Sequence, residues 1–332
     1  ENWRVKSMEK KRLSYIDAIK GIGILMIVWG HLAFLTDDPV MDYMGYIKIP
    51  VFYIISGMLV AMMSKQADNW QFIKSRFSRL MVPYFAMSIV MIIVNCATAV
   101  LKHRGLTAAL MTGLWTTISL RGLSTLWFLP TMFLIVVAFK YIPDKVRGLA
   151  VIFIPAIVVP LVSFLEIEFY PALVVVKSLV GLWFYLIGNC FQRYASEYVH
   201  GWTRNTKIAI LVTLLVCNIG LTAVNGGVDI NNLGLGTYPV LYFVNGVVGG
   251  AFWIGILKLI YEAIEIKILN WAGINSLFIM ITHLPLMICY VVSKACGIIV
   301  GKFGGYFGLV DSVLLVDYSR VPNRCGDRIC FA

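Results

Sequence analysis

Apolar runs near the ~20 residues needed to cross a bilayer recur along the chain, separated by short polar segments. The pattern predicts membrane-spanning helices over Ala18–Leu35, Ile49–Met63, Leu80–Val100, Ser124–Ile142 and Gly148–Leu165. Further spans are predicted over Ala172–Phe191, Lys207–Val224, Tyr238–Leu259, Ala272–Val292 and Cys296–Val316. The second is short, and the tenth carries Lys302 and Asp311. The expected fold is therefore all-α, a polytopic integral membrane bundle of about ten transmembrane helices. It divides into a basic arm over 1–14, a membrane domain over 15–316 and a tail over 317–332.

Composition agrees with the pattern. Apolar residues make up 60% of the 332 and charged residues 14%, against about 25% charged in a typical soluble domain, and the mean hydropathy is +0.83. The deficit of charge runs the whole length, so a lipid-solvated bundle explains it and one large soluble core does not. Charge also orients the bundle. With both termini in the cytoplasm, 20 of the 28 Lys and Arg fall in cytoplasmic segments or at the cytoplasmic ends of spans (Lys140, Lys207 and Lys258) and 5 in outer loops, while Lys20, Lys177 and Lys302 lie within spans. That bias is the positive-inside signature. The +11 net charge is dispersed over short loops without an aromatic-basic strip, which argues against nucleic acid as a partner. The basic arm runs into a full-length span with no small-residue cleavage site, so no cleavable signal peptide is expected. Five of the seven cysteines fall in or beside spans and the other two, Cys325 and Cys330, in the tail. Neither a structural disulfide nor a metal site is expected from them.

Ionisable groups inside a span cost about 2.5–3.5 kcal/mol on insertion scales, so each asks for a reason. In the first span Lys20 and His31 stand eleven positions apart. At ~100° per residue that is about 20° beyond three turns, so both share one face, roughly 16 Å apart along the axis. Asp17 lies about 40° off the same line. Helix capping or snorkelling accounts for Asp17 and Lys20 alone, whereas His31 is deeper. In the ninth span His283 lies mid-membrane, with Ser276 seven positions earlier on roughly the same face. A second stretch, Pro50 to Met58, contains Ser56-Gly57, a pair suited to close helix packing. Lys74, Arg76 and Arg79 precede Pro83; they either bind phosphates of a nucleotide cofactor or hold the positive side inside. Trp127, at the start of the fourth span, sits where an interfacial anchor is expected.

Together these residues resemble a family. Lys20 and His31 match the Arg/Lys-x10-His signature of the acyltransferase-3 family of membrane O-acyltransferases. Pro50, Phe52, Ser56 and Gly57 resemble its Pro-x-Phe-Phe-x-x-Ser-Gly segment. Arg76, Arg79 and Pro83 resemble its Arg-x-x-Arg…Pro stretch. Trp127-Phe128-Leu129 and His283 are similar to the branch of fucose and surface-polysaccharide O-acetylases. The resemblance runs from about residue 14 to 290. It implies ten helices, acetyl-CoA as co-substrate with no bound cofactor, and a carbohydrate hydroxyl as acceptor. Two departures stand out. Pro130-Thr131 occupies the place where many members carry an acidic residue after the Trp motif, and the esterase-like domain some relatives append is not expected within these 332 residues.

The expectation is then an O-acetyltransferase that moves acetyl from acetyl-CoA to a hydroxyl of a surface or exported glycan, or of its lipid-linked precursor. Its place would be a bacterial cytoplasmic (inner) membrane, with a homo-oligomer or glycan-assembly proteins as further candidate partners. His31 and Lys20 are the candidate catalytic pair. His283, Ser276 and Trp127 form a candidate second site, and Arg76, Arg79 and Lys74 candidate donor contacts. A neutral imidazole suits general-base catalysis on a weakly nucleophilic hydroxyl. The rival reading is a proton-coupled secondary transporter or exporter, which would also use buried His and Lys. The chain lacks a clear internal repeat, which weighs against it.

Overall fold

The computed structural model describes residues 2–32, 39–62, 69–101, 103, 105–165 and 167–284. The tenth expected span, the tail 317–332 and the last eight residues of the ninth span lie outside these residues. Among the described residues the chain is all-α: the only β pairing is an isolated bridge between Asp229 and Gly234. The elements are α1 (Asn2–Leu32), α2 (Pro39–Gly45), α3 (Pro50–Met62), α4 (Asn69–Leu101) and α5 (Leu106–Ile118). A 3₁₀ turn (Ser124–Trp127) leads into α6 (Phe128–Tyr141), followed by α7 (Asp144–Phe164) and α8 (Tyr170–Cys190). A π turn (Phe191–Ala195) joins α8 to the short α9 (Ser196–His200). Then come α10 (Arg204–Asn225), α11 (Pro239–Tyr261), α12 (Lys267–Ile274) and α13 (Ser276–Thr282).

Seven stretches among the described residues are long and apolar enough to cross a membrane. One of them, Val40–Met62, joins α2 to α3 and so lengthens the short second span expected from Ile49. The ninth span differs from expectation: its described part is broken at Asn275 into α12 and α13. The segment between α4 and the fourth span holds the apolar helix α5, too short to be predicted as a span, which packs on α4. Gly113 admits the Ile92 side chain there, and the Tyr84 hydroxyl donates 2.9 Å to the Thr117 carbonyl.

Helix α8 is the hub, packed by α3, α6 and α7 and buried along most of its length. Two helix pairs meet backbone to backbone through reciprocal glycines. A Cβ at Gly57 would overlap the Tyr185 carbonyl, and one at Gly188 the Ile54 carbonyl, which locks α3 onto α8. Likewise Gly21 abuts Leu269 and Gly273 abuts Asp17, which locks α1 onto α12. Without a hydrophobic driving force between helices in lipid, such close approach supplies much of the packing energy. Between α10 and α11 the contact is polar: the Asn218 amide donates 2.5 Å to Asn245 Oδ1, and the Asn245 amide donates 3.0 Å to Thr222 Oγ1.

The outer helices show the reverse of a soluble pattern. Ile89 and Ile93 on α4, Ile152, Phe153 and Ile157 on α7, and Val212, Val216 and Ile219 on α10 are all exposed. Exposed apolar rows on three long helices are what a lipid-facing rim requires. At ~1.5 Å per residue α4 is about 50 Å long, longer than a ~30 Å hydrocarbon core. Its first turns, with Lys74, Arg76 and Arg79, therefore reach beyond that core.

Candidate active site

The first centre forms where the C-terminal part of α1 meets the end of α13. The rings of His31 and His283 lie 5.3 Å apart, centroid to centroid, inclined at 42°. Their approach depends on the α1–α12 glycine contacts, which set α1 against the pair α12–α13, and on the break at Asn275, which re-aims α13. His283 is 3% exposed. Its Nδ1 is 2.9 Å from the Ile279 carbonyl oxygen, one turn back on its own helix. A carbonyl only accepts, so Nδ1 carries the proton and Nε2 keeps its lone pair. Nε2 is buried and has no hydrogen-bond partner among the described residues. A ring nitrogen with a free lone pair beside a second imidazole can accept a hydrogen bond from a hydroxyl or water.

Around this pair the same end of the bundle gathers cations. The Lys48 ammonium comes within 3.2 Å of the place a Cβ on Gly30 would take, next to His31. Trp127, expected as an interfacial anchor, is instead 7% exposed, with the Lys177 ammonium 4.7 Å from its ring centre. The turn before it is strained: Leu120 and Ser124 adopt left-handed φ of 60° and 53°, uncommon without a glycine. Gly122 (φ 77°) lies so close to the Trp127 backbone that only a glycine fits. Thr125 in the same turn donates 3.3 Å to the Met280 carbonyl, three residues before His283. Burial lowers the Arg121 pKa from its ordinary value, with Tyr170 and Asp229 opposing the shift. Arginine remains protonated regardless.

The loop after α10 closes this end. Asn225 pins it, donating 3.0 Å to the Leu235 carbonyl and accepting 2.6 Å from the Tyr238 amide. Tyr46 donates 2.6 Å to the Gly226 carbonyl and so ties the loop to the α2–α3 joint near Lys48.

The other candidate residues are placed apart from the histidines. Lys20 makes a 2.7 Å ion pair with Asp17 on its own helix, both about a quarter exposed. Such a pair contributes little to stability, ~0–1 kcal/mol. Along α1 it is about 16 Å from His31, so the two share a face without touching. Ser276 begins α13, two turns before His283. Arg76 is half-buried over the Phe72 ring at 5.2 Å, with Lys140 on the same ring at 5.3 Å, whereas Lys74 and Arg79 are exposed. This opposite end also carries a cavity of about 320 Å³ lined by Asp144, Lys145, Arg147, Asn189, Arg193 and Tyr194. Asp144 pairs with both Arg147 and Arg193, and Tyr185 lies within electrostatic reach of Arg76 and Arg147. The π turn Phe191–Ala195 carries Arg193 to this cavity.

Sequence reasoning passed over Lys48, Arg121 and Lys177 as chemistry. The signal for Lys177 was present, an ammonium within an apolar run, but it was only set aside from the charge count that orients the bundle. No comparable signal marked Asn231, whose importance depends on a loop closing over distant helices.

A family model described as an acyltransferase domain matches residues 13–292, which begins within α1, runs past the last described residue and includes both histidines. No curated protein and no solved structure matches the chain significantly. The motif order, the helical membrane architecture and this match together place the chain in the acyltransferase-3 family of membrane acyltransferases.

Proposed function

We propose that this membrane acyltransferase takes acetyl from acetyl-CoA and places it on a carbohydrate hydroxyl, with His31 and His283 handling the proton. The observation that carries this reading is the open Nε2 of His283 beside the His31 ring. A sugar hydroxyl set against Nε2 gives up its proton as its oxygen attacks the thioester carbonyl. The C–O bond forms, the C–S bond breaks, and the imidazolium returns the proton to the departing thiolate. General-base help of this kind is typically worth about 10²–10⁴-fold. His31 stands near enough to hold the hydroxyl or pass the proton on.

The basic end suits the donor. Arg76, Arg79 and Lys74, with Arg147 and Arg193 around the nearby cavity, offer cations of the kind that bind phosphates of CoA. With the positive-inside orientation this end faces the cytoplasm, where CoA is found, and the histidines lie toward the outer face. Lys20 stands between them on the His31 face, suited to steer the thioester end of the donor. A bacterial inner membrane and an exported glycan fit the same orientation.

Labelled acetyl-CoA incubated with purified protein in liposomes tests the class of activity. Label is expected in added oligosaccharide and not in protein or lipid. Substrate counterflow without thioester turnover would instead identify a carrier.

A further inference from the structure

At the histidine end two cations converge on one amide oxygen. Asn231 Oδ1 accepts 2.7 Å from Arg121 Nη1 and 3.1 Å from Lys177 Nζ. Arg121 also donates 3.0 Å to the Asn231 carbonyl and 2.6 Å to Asn232 Oδ1. Lys177 is 1% exposed, and besides Asn231 it has the Trp127 ring. Asp229 acts through space on Lys48, Arg121 and Lys177. Its own oxygens are occupied by the Asn231 backbone amide at 3.0 Å and the Asn232 amide at 2.7 Å. Among the described residues no carboxylate stands within ion-pair distance of any of the three cations.

A neutral amide shared by an ammonium and a guanidinium leaves their mutual repulsion standing. A buried cation without an opposite charge is strongly unfavourable. Asp229, the carboxylate that acts on all three, is outnumbered by them. Structural needs do not explain it: an apolar residue at position 177 would pack against Trp127 without the desolvation cost. An anion does explain it, because it would meet both donors and occupy space the cations now share with Asn231. The cluster adjoins the histidines on two sides, through Lys48 at Gly30–His31 and through the Ser124–Trp127 turn that holds Met280.

We propose that Lys177, Arg121 and Lys48 form a binding site for an anionic oxygen group, carboxylate or phosphate, carried by the acceptor, which holds its hydroxyl against the histidine pair. This rests on the acyltransferase reading above and narrows its acceptor to an acidic or phosphorylated glycan.

The test uses the full chain purified in detergent at fixed ionic strength, so that general screening is constant. Thermal unfolding is followed with glucuronate, glucose 1-phosphate, inorganic phosphate or glucose, since a ligand of the native state raises its midpoint. Either anionic sugar should raise the midpoint while glucose does not, and the stronger of the two assigns carboxylate or phosphate. A response to inorganic phosphate through the same residues also supports the site. Lys177→Met and Arg121→Gln should each weaken the response by about tenfold or more in ligand concentration. Either variant suffices if the other fails to fold. Glucose acting as well as the anions, or an unchanged response in both variants, overturns the proposal. Labelled acetyl transfer is run beside it. Transfer without anion binding sinks the anion site alone, whereas anion binding without transfer sinks the acyltransferase chemistry alone.

Discussion

His283 is held by one hydrogen bond that leaves the other ring nitrogen open, and this separates its chemistry from its packing. Asparagine keeps a donor near the Nδ1 position and removes Nε2. His283→Asn should therefore retain the folded bundle, seen as an unchanged elution volume and unfolding midpoint. Acetyl transfer should fall by about 10²–10⁴-fold. His31→Ala is expected to abolish transfer as well while the protein remains inserted. Near-normal turnover in either variant would remove that imidazole from the chemistry. Lys20 gives a sharper contrast because its ion pair with Asp17 offers it a purely local task. If it steers the donor, Lys20→Arg keeps substantial activity while Lys20→Gln loses acetyl-CoA affinity and turnover together. Unchanged affinity and rate in Lys20→Gln would reduce Lys20 to an orienting charge. Simple helix arithmetic on one span singled out His31 as a candidate. It did not reveal the pairing with His283, which depends on the α12–α13 break and on how α12 sits on α1.

At the scale of elements, the glycine contacts make the strongest mechanical claim. Gly57 and Gly188 join α3 to α8, and Gly21 and Gly273 join α1 to α12. Gly57→Val and Gly273→Val would each drive a side chain into a neighbouring backbone. Overpacking usually costs about 1–3 kcal/mol, and a rigid carbonyl cannot move aside. Both variants should unfold at clearly lower temperature, and Gly273→Val should also lose transfer because it displaces α1 from α12. Gly220→Ala on α10 is the control: nothing lies within 4 Å of its Cβ position, so the midpoint should stay or rise slightly. Midpoints for the two valine variants equal to wild type would show that these helices do not meet as described. The Ser56-Gly57 pair pointed to close packing in advance. Helix α5 was not legible, because a thirteen-residue helix falls short of a span and its partner face on α4 is known only once the two are folded together.

For the whole molecule, the asymmetry between the two ends has a topological consequence. If positive residues mark the cytoplasm, a cysteine at Gly227 in a cysteine-depleted background should react with a membrane-impermeant reagent from outside. One at Glu197 should react only after permeabilisation. The reverse pattern would put the histidines at the cytoplasmic end and reassign the donor contacts. The helical membrane class was legible because composition and run length depend on no tertiary contact. Lys177 and Arg121 were not, since an Asn231 in a loop about fifty residues beyond α8's Lys177 becomes their partner only through the closure of that end. The central claim is that acetyl transfer to carbohydrate takes place at the histidine pair. It is tested most directly by comparing wild type with His283→Asn, reconstituted at equal amounts, for transfer of labelled acetyl from acetyl-CoA into an acidic oligosaccharide. The expected result is label in the carbohydrate with wild type and at least about 10²-fold less with the variant. Equal labelling by the two proteins would contradict it.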